Sequence, residues 1–244
     1  MARYNINHYL ASDSWRCVLG MEFTKPYFQQ LQQKLALDYA NGKQNFPPLD
    51  LIFNAFNLTP LDKVKVVIVG QDPYPTPGMA MGLAFSVPRG CGFEVPPSLQ
   101  NIYKLLTNEY PHFKTPNHGD LTAWAKRGVF LLNTVLTFQA NEPDSHATNG
   151  WANSHAEYGW QTFTDEVIRI ISRKRTGVVF LLLGNKAHEK KKLIDIKKHT
   201  FIERPHPSPY SFHLFNKYDW KCFSSVDNDL MMMGDQTWKM DWSL

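Results

Sequence analysis

The segment Val64-Lys65-Val66-Val67-Ile68-Val69-Gly70-Gln71-Asp72-Pro73-Tyr74 decides the fold. Its apolar run over residues 64–69 predicts a strand buried on both faces, because β-branched runs bounded by Gly and Pro are typical of parallel sheets. In open α/β sheets, ligands bind beyond the carboxyl ends of such strands. We therefore expect Asp72 and Tyr74 to lie at an active site.

The same pattern of an apolar strand followed by polar residues occurs three more times. Val129-Phe130-Leu131-Leu132 leads into Asn133, the run over residues 178–183 leads into Gly184-Asn185, and Thr200-Phe201-Ile202 leads through residues 203–205 into His206. Parallel strands deliver their carboxyl ends to one edge of a sheet. The pattern therefore predicts that a carboxylate, amides and an imidazole share one site.

Helical spacing of apolar residues alternates with these strands. It predicts helices over much of the first 45 residues, from Leu99 to about Glu109 with Ser98 as N-cap, and from Trp160 to about Ser172. Strands joined through helices form right-handed crossovers. The predicted fold class is α/β, a three-layer α/β/α sandwich around a central four-stranded, mainly parallel sheet.

Length and composition favour one domain. The chain has 244 residues, 43% of them hydrophobic, and lacks a Gly/Ser-rich linker, so residues 1–244 are predicted to form a single α/β domain. Three cysteines, the absence of an apolar stretch of membrane-spanning length and the absence of a signal-like start favour a soluble protein of a reducing, intracellular compartment. A short repeat over residues 145–151 and 154–160 is interpreted as a local duplication.

The formal net charge of +4 is concentrated in one segment. Residues 186–204 hold seven Lys and Arg against three acidic residues. A basic stretch near the site suits a polyanionic substrate, because contacts to phosphates supply affinity that does not depend on sequence. A solvated helix face explains the same charges, and the segment taken alone favours that interpretation.

Five motifs in order resemble the family-1 uracil-DNA glycosylases over almost the whole chain. They are Gly70-Gln71-Asp72-Pro73-Tyr74, the run Gly82-Leu83-Ala84-Phe85-Ser86-Val87, Pro96-Pro97-Ser98-Leu99, Leu131 to Thr137, and His206-Pro207-Ser208-Pro209 followed by Ser211. The resemblance implies an enzyme of DNA base-excision repair that flips uracil out of DNA and hydrolyses its N-glycosidic bond, without lyase activity. It implies no metal and no cofactor.

The resemblance also implies roles for individual residues. Asp72 matches the aspartate that stabilises the cationic sugar and orients water, and His206 matches the histidine that donates to uracil O2. The uracil pocket would be lined by Gln71, Tyr74, Phe85 and Asn133, with the Tyr74 ring blocking the C5 position and the Asn133 amide reading the base edge. The implied DNA-binding residues are Ser98, Gly184, Asn185, Ser208, Tyr210 and Ser211.

The sequence departs from the family pattern at four positions. Pro75 and Met81 stand where the family has histidines, and Asn185 stands where it has serine. Tyr210 stands where the family commonly has the leucine that fills the gap left by the flipped nucleotide. We expect Tyr210 to insert as an aromatic wedge, since stacking on bases is favourable.

Other interpretations remain open at this stage. Individually, Asp72 and Asn133 are typical turn or capping residues, and an aromatic residue such as Phe85 is typical of a core. Alternative functions are a glycosylase for mismatched thymine or oxidised pyrimidines, a non-catalytic or dual-role DNA-tethering or replication-partner module, and a small-molecule nucleotide hydrolase.

Expected partners are single- and double-stranded uracil-containing DNA and a proteinaceous inhibitor or replication proteins, with the chain a monomer. The expected location is a DNA-containing compartment of a prokaryote, a eukaryote or an infected host cell.

Overall fold

The computed structural model describes residues 5–140, 155–218, 221–233 and 239–244. Within these ranges the strands are β1 (Asn45–Phe46), β2 (Val66–Gly70), β3 (Val129–Asn133), β4 (Phe138–Gln139), β5 (Val179–Leu183) and β6 (Thr200–Arg204). The first copy of the short repeat, residues 145–151, and Ser154 of the second copy lie outside the described residues.

Four of these strands form the central sheet, in the order β3-β2-β5-β6, and all neighbours are parallel. Strand β2 occupies an interior position, where Val66 aligns with Val129 on one side and with Val179 on the other. Its residues from Val66 to Val69 are almost fully buried, as expected for a strand covered on both faces. The predicted four-stranded parallel sheet and α/β fold class are confirmed.

The helices of the described residues surround this sheet. They are α1 (Asp13–Leu19), α2 (Pro26–Ala40), α3 (Asn54–Leu58), α4 (Pro97–Glu109), α5 (Thr122–Lys126), α6 (Trp160–Lys174), α7 (Asn185–His188), α8 (His213–Tyr218) and α9 (Phe223–Met232), with short 3-10 turns between several of them. None of the helices that the structure describes combines the length and apolar character that a membrane crossing requires.

Aromatic packing joins the helices to the sheet. Trp15 of α1 stacks on Phe130 of β3 with 5.1 Å between ring centroids, and Phe56 of α3 meets Phe130 edge to face at 5.1 Å. Offset and edge-to-face pairs of this kind contribute about 0.5–1.5 kcal/mol beyond their buried area. The strand that ends in Asn133 is thereby held by two helices.

The predicted cap of α4 is wrong. The helix begins at Pro97 with Pro96 as its N-cap residue, so Ser98 lies inside the first turn. Proline is favoured at the first helical position because its φ is already helical and its missing N–H needs no partner there. Ser98 is consequently released from capping and lines a cavity instead.

Candidate active site

The carboxyl edge of the sheet is locked by hydrogen bonds between the turns that follow β2 and β3. Gly70 aligns with Asn133 at the last paired position of these strands. Beyond it, the Thr134 N–H donates to the Gly70 carbonyl at 3.1 Å, and the Val135 N–H donates to the Gln71 carbonyl at 3.0 Å. The Thr134 hydroxyl also donates to the Gln71 carbonyl, at 3.1 Å. Three hydrogen bonds therefore join the two turns.

A cavity of about 150 Å³ opens at this edge. Its lining includes Gln71, Asp72, Tyr74, Phe85, Ser98, Asn133 and His206. Sites for drug-sized ligands have roughly 300–1,000 Å³, so a cavity half as large as the smallest of them suits a single heterocyclic base. All six residues predicted for catalysis and the uracil pocket, together with Ser98, are brought together here; we name this space the base cavity.

Asn133 presents its amide to the base cavity from the end of β3. Its side chain is 8% exposed and makes no hydrogen bond to the residues that the structure describes. A Cβ atom on the neighbouring Gly70 would lie on top of the Asn133 side-chain oxygen. Glycine at position 70 is therefore required to leave the amide in place, and a buried polar group of this kind gains most from a ligand that satisfies it.

Phe85 lies in the base cavity with a backbone φ of 65°, the one non-glycine residue of the described chain in the left-handed region. Bulky residues rarely adopt this conformation, and it costs on the order of 1–3 kcal/mol. The Tyr74 hydroxyl donates to the Phe85 carbonyl at 3.1 Å and so holds the unusual backbone in place. Such local strain is characteristic of functional sites.

Burial determines the protonation state of the Tyr74 phenol. It raises the pKa of the Tyr74 phenol far above its usual value, because a phenolate would lose its solvation. The hydroxyl stays protonated at neutral pH and remains a donor to Phe85. Tyr74 lies between Pro73, which is buried, and Pro75, which is exposed. Because proline fixes its own φ and limits the conformation of the residue before it, the backbone is restricted on both sides of Tyr74.

Asp72 is half-buried at the mouth of the cavity. The Gln71 side-chain amide donates to one of its carboxylate oxygens, Oδ2, at 2.9 Å. This bond orients the carboxylate, and a half-buried position keeps it within reach of water. An oriented carboxylate of this kind can stabilise a positive charge or direct a water molecule.

His206 faces Phe85 across the cavity, with 6.0 Å between ring centroids. The Ser208 backbone N–H donates to its Nδ1 at 3.0 Å, so the neutral ring carries its proton on Nε2. Burial lowers the pKa of the His206 imidazole below its usual value. A Cβ atom on Gly184 would come within 2.9 Å of the His206 Cβ, so glycine there leaves room for the ring.

A second cavity, a groove of about 310 Å³, adjoins the base cavity and shares Gly70, Gln71 and His206 with it. The predicted DNA-binding residues Gly184, Asn185 and Ser211 line this groove. Lys186 also lines it and was missed at the level of sequence, where it could not be distinguished from the other lysines of its segment.

The remaining predicted DNA-binding residues lie in the turn after His206. Ser208 is half-buried, and Tyr210 is 91% exposed. Tyr210 therefore does not fold back onto the residues that the structure describes. Its ring projects from the same turn that holds His206 and Ser211.

The basic segment over residues 186–204 is largely paired within the protein. Lys186, Lys190, Lys191 and Lys198 each contact an acidic side chain within 4.0 Å. Lys190 is buried and meets Asp165 at 2.5 Å. Of the seven basic residues in this segment, all of which the structure describes, Lys186 alone lines the groove. Most of the positive charge of this segment is therefore balanced by neighbouring carboxylates, and only Lys186 of these residues contributes to the groove.

The described part of the chain contains no cluster of three or more His, Cys, Asp or Glu side chains that could hold a metal ion. The chemical resources of the site are therefore one carboxylate, one neutral imidazole, one free amide and two aromatic rings.

Comparison with known proteins identifies relatives of this arrangement. Residues 56–227 match the family model of the uracil DNA glycosylase superfamily. The uracil-DNA glycosylase of Francisella tularensis subsp. tularensis is 48% identical over 231 residues, which is 95% of this chain and 99% of that protein. The homologue from F. tularensis subsp. novicida is equally similar over the same shares.

Solved structures of uracil-DNA glycosylases are similar to this chain in fold. The crystal structure of mimivirus uracil-DNA glycosylase superposes with a TM-score of 0.83 at 30% identity, covering 99% of this chain and 90% of the viral chain. A variant of the viral protein in complex with UGI superposes with a TM-score of 0.82, covering 99% of this chain and 92% of the viral chain. The structure from Nitratifractor salsuginis, at 22% identity and a TM-score of 0.58 over 92% of this chain and 94% of its own, supports the fold alone.

Proposed function

This chain belongs to the uracil-DNA glycosylase superfamily and removes uracil from DNA in base-excision repair, and we propose how its residues, acting as a single domain over positions 1–244, divide that work. The observation that carries the proposal is the convergence of Gln71, Asp72, Tyr74, Phe85, Asn133 and His206 on one base-sized cavity. The reaction hydrolyses the N-glycosidic bond and leaves free uracil and an abasic site.

Recognition of uracil is assigned to Phe85 and Asn133. The Phe85 ring offers an apolar face to a flipped base, and the free amide of Asn133 accepts from the uracil N3–H while it donates to O4. Cytosine carries the reverse donor and acceptor pattern, which would leave both amide atoms unpaired. Sites built on buried hydrogen bonds reject such analogues by about 10⁴ to 10⁵.

Bond cleavage is assigned to Asp72 and His206. As the bond between the sugar C1′ and uracil N1 breaks, its electron pair leaves with the base, and the sugar becomes positively charged. The Asp72 carboxylate stabilises that charge and directs a water molecule to C1′, while the Nε2–H of His206 donates to O2 of the uracil anion. The water oxygen bonds to C1′, and the proton that the water loses is balanced by protonation of the departing uracil anion. Preorganised groups of this kind are commonly the largest catalytic contribution.

The state of His206 gives a prediction about pH. Its lowered pKa keeps the ring neutral at pH values where a free histidine is already half protonated. We expect the single-turnover rate of uracil excision to stay level as pH falls through 6.5 and to decrease only at lower pH. Protonation would place a hydrogen on Nδ1, against the Ser208 N–H that donates to it.

The measurement is a pH profile of single-turnover excision by wild type and His206→Gln. The glutamine variant should be slower and should lack the inflection that His206 causes. A wild-type rate that rises as pH falls through this range would show that the imidazolium is the active form and would contradict the assignment.

Exclusion of thymine is assigned to the Tyr74 ring. We expect Tyr74→Ala to raise the ratio of thymine to uracil excision by about 10- to 200-fold, the range for fitting one extra carbon into a pocket. Uracil excision itself should slow, because the bond to the Phe85 carbonyl is lost as well.

Tyr74→Phe separates the two contributions, since it keeps the ring and removes the hydroxyl. It should slow uracil excision and continue to exclude thymine in the same oligonucleotide assay. Continued rejection of thymine by Tyr74→Ala would show that another side chain closes the C5 position.

Binding of the DNA backbone is assigned to residues that line the groove and to neighbouring serines. The hydroxyls of Ser98, Ser208 and Ser211 and the side-chain amide of Asn185 suit phosphate contacts, and Lys186 adds a positive charge in the same groove. Gly184, whose N–H donates to the Arg204 carbonyl at 2.8 Å, contributes a backbone without a side chain that would obstruct the approach of the DNA strand. These contacts hold the strand on both sides of the base cavity. Uracil in both single- and double-stranded DNA is the proposed substrate.

Tyr210 is proposed to fill the gap left by the flipped nucleotide. An aromatic ring that is 91% exposed beside the site is placed to stack on neighbouring bases, and such stacking contributes about 1–3 kcal/mol per base. We expect Tyr210→Ala to slow excision from duplex DNA by about 10-fold or more and to slow excision from single strands less.

Tyr9→Ala is the control for this experiment, because it also removes an exposed tyrosine, but one in the N-terminal turn Ile6–Tyr9 and not in the turn that follows His206. It should leave both rates unchanged. Unchanged excision from both duplex and single-stranded substrates by Tyr210→Ala would exclude the wedge.

Partners and location follow from the reaction. We propose that the chain acts as a monomer in a DNA-containing compartment, in association with replication proteins. A proteinaceous inhibitor is a further proposed partner, supported by the UGI complexes of the mimivirus relative. An inhibitor of this kind would cover the groove and the base cavity together.

A further inference from the structure

Asn101 is a buried polar residue outside both cavities. It lies in α4, is 5% exposed, and donates through its side-chain Nδ2 to the Pro207 carbonyl at 2.9 Å. The two residues are 106 positions apart in the chain. A buried amide is costly unless its hydrogen bonds are satisfied, and the partner here is the residue that follows His206.

The Pro207 carbonyl belongs to the same peptide unit as the Ser208 N–H. A trans peptide is planar, and its C=O and N–H point in opposite directions. A donor that fixes the carbonyl on one side therefore also fixes the direction of the N–H on the other. That N–H donates to Nδ1 of His206 at 3.0 Å.

Lys104 determines which way the Asn101 amide faces. Its Nζ contacts Asn101 Oδ1 at 3.2 Å. An ammonium group can only donate, so the atom that it contacts must be the amide oxygen, and the amide nitrogen is left to face Pro207. The Lys104 Nζ also lies 5.8 Å from the centre of the Phe212 ring, in the segment just after the His206 turn.

The helix behind Asn101 is firmly seated. Residues Leu99, Ile102 and Leu106 of α4 are almost fully buried. Glu109 at its end accepts hydrogen bonds from the Cys222 and Ser224 N–H groups at 2.9 and 2.7 Å, which ties α4 to the start of α9. The amide of Asn101 is thus presented from a fixed element, as positioning of a reactive group requires.

We propose that Asn101 is a positioning residue for His206: by holding the Pro207–Ser208 peptide, it selects the ring tautomer with the proton on Nε2 and aims that proton into the base cavity. The chain of bonds runs from the Asn101 amide through the peptide to the imidazole. Successive hydrogen bonds in such a chain strengthen one another. This inference rests on the proposed role of His206 in excision.

The test is a double-mutant cycle of Asn101→Leu and His206→Gln, measured as single-turnover uracil excision from saturating single-stranded oligonucleotide. Asn101→Leu in the wild-type background should slow the step by about 10²-fold, the usual effect of a misplaced catalytic group. In the His206→Gln background it should change the rate less than about 2-fold, since coupled residues lose their contribution together. Nitrogen chemical shifts of His206 should change from the Nε2–H tautomer to a mixture.

Two further variants accompany the cycle, one as a control and one as a substitute for Asn101→Leu. Thr107→Val removes another side-chain hydrogen bond of α4, to the Tyr103 carbonyl at 2.9 Å, and should leave the excision rate unchanged. Should Asn101→Leu fail to fold, Asn101→Ser, whose side chain is too short to reach Pro207, is measured in the same cycle.

The outcomes separate the two proposals. No effect of His206→Gln alone would overturn the role of His206. A slow His206→Gln variant, combined with an equal loss from Asn101→Leu in both backgrounds or with an unchanged His206 tautomer, would overturn the inference about Asn101 and leave the role of His206 intact.

Discussion

Replacing Asn133 by aspartate is expected to turn the uracil site into one that also accepts cytosine. The wild-type amide accepts from N3–H and donates to O4, a pattern that uracil presents and cytosine reverses. A carboxyl group at the same buried position can accept from the cytosine N4 amino group and, when protonated, donate to N3; burial favours that protonated form. We expect the ratio of uracil to cytosine excision, about 10⁴ to 10⁵ for a site of this type, to fall by several powers of ten.

The measurement uses oligonucleotides with one uracil or one cytosine at the same position. Asn108→Asp, at an exposed asparagine of α4, makes the same chemical change away from the site and should leave the ratio unaltered. If Asn133→Asp lost uracil excision and released no cytosine while retaining DNA binding, the amide would be required for the reaction without reading the base edge.

Replacing Asp72 by asparagine is expected to give the largest loss of rate. The substitution keeps the shape of the side chain and removes the negative charge that faces the sugar. Loss of one preorganised electrostatic group usually costs about 10² to 10³ in rate, and we expect the upper part of this range because the charge removed is a full one. Affinity for the DNA should change little, since the carboxylate does not attract phosphates.

Single-turnover excision and equilibrium binding, measured on the same uracil oligonucleotide, separate these effects. Asp62→Asn, at an exposed aspartate shortly before β2, is the matched control and should behave as wild type. An Asp72→Asn variant with an excision rate within a few fold of wild type would remove Asp72 from the mechanism.

The sheet and its functional edge could be predicted from the sequence because buried parallel strands are continuous apolar runs. Each run ends in polar or glycine residues, and parallel pairing then forces Asp72, Asn133 and His206 to the same edge. The family resemblance added the roles of these residues, and the comparisons support the reaction itself.

Features that depend on long-range contacts were not predictable. The hydrogen bond from Asn101 joins positions 106 residues apart, and no periodicity indicates such a pair. The paired strands β1 and β4 have only two residues each, too few for an alternating pattern. The pairing of Lys190 with Asp165 likewise depends on how α6 packs, so charge counting overstated the basic surface.

Local backbone geometry was the second kind of feature that the sequence did not predict. Phe85 adopts a positive φ that its residue type disfavours, and the hydrogen bond from Tyr74 to its carbonyl joins residues 11 positions apart. The N-cap of α4 was misplaced by two positions, because a serine at position 98 signals a cap while Pro96 and Pro97 start the helix earlier.

The most direct test of the account is release of bases by the wild-type protein from end-labelled oligonucleotides that carry one uracil, thymine or cytosine, with excess chelator present. The account predicts release of uracil alone, at the same rate with and without chelator. Tight binding without release, or release of thymine or cytosine at rates comparable to uracil, would contradict the proposed base cavity and its chemistry.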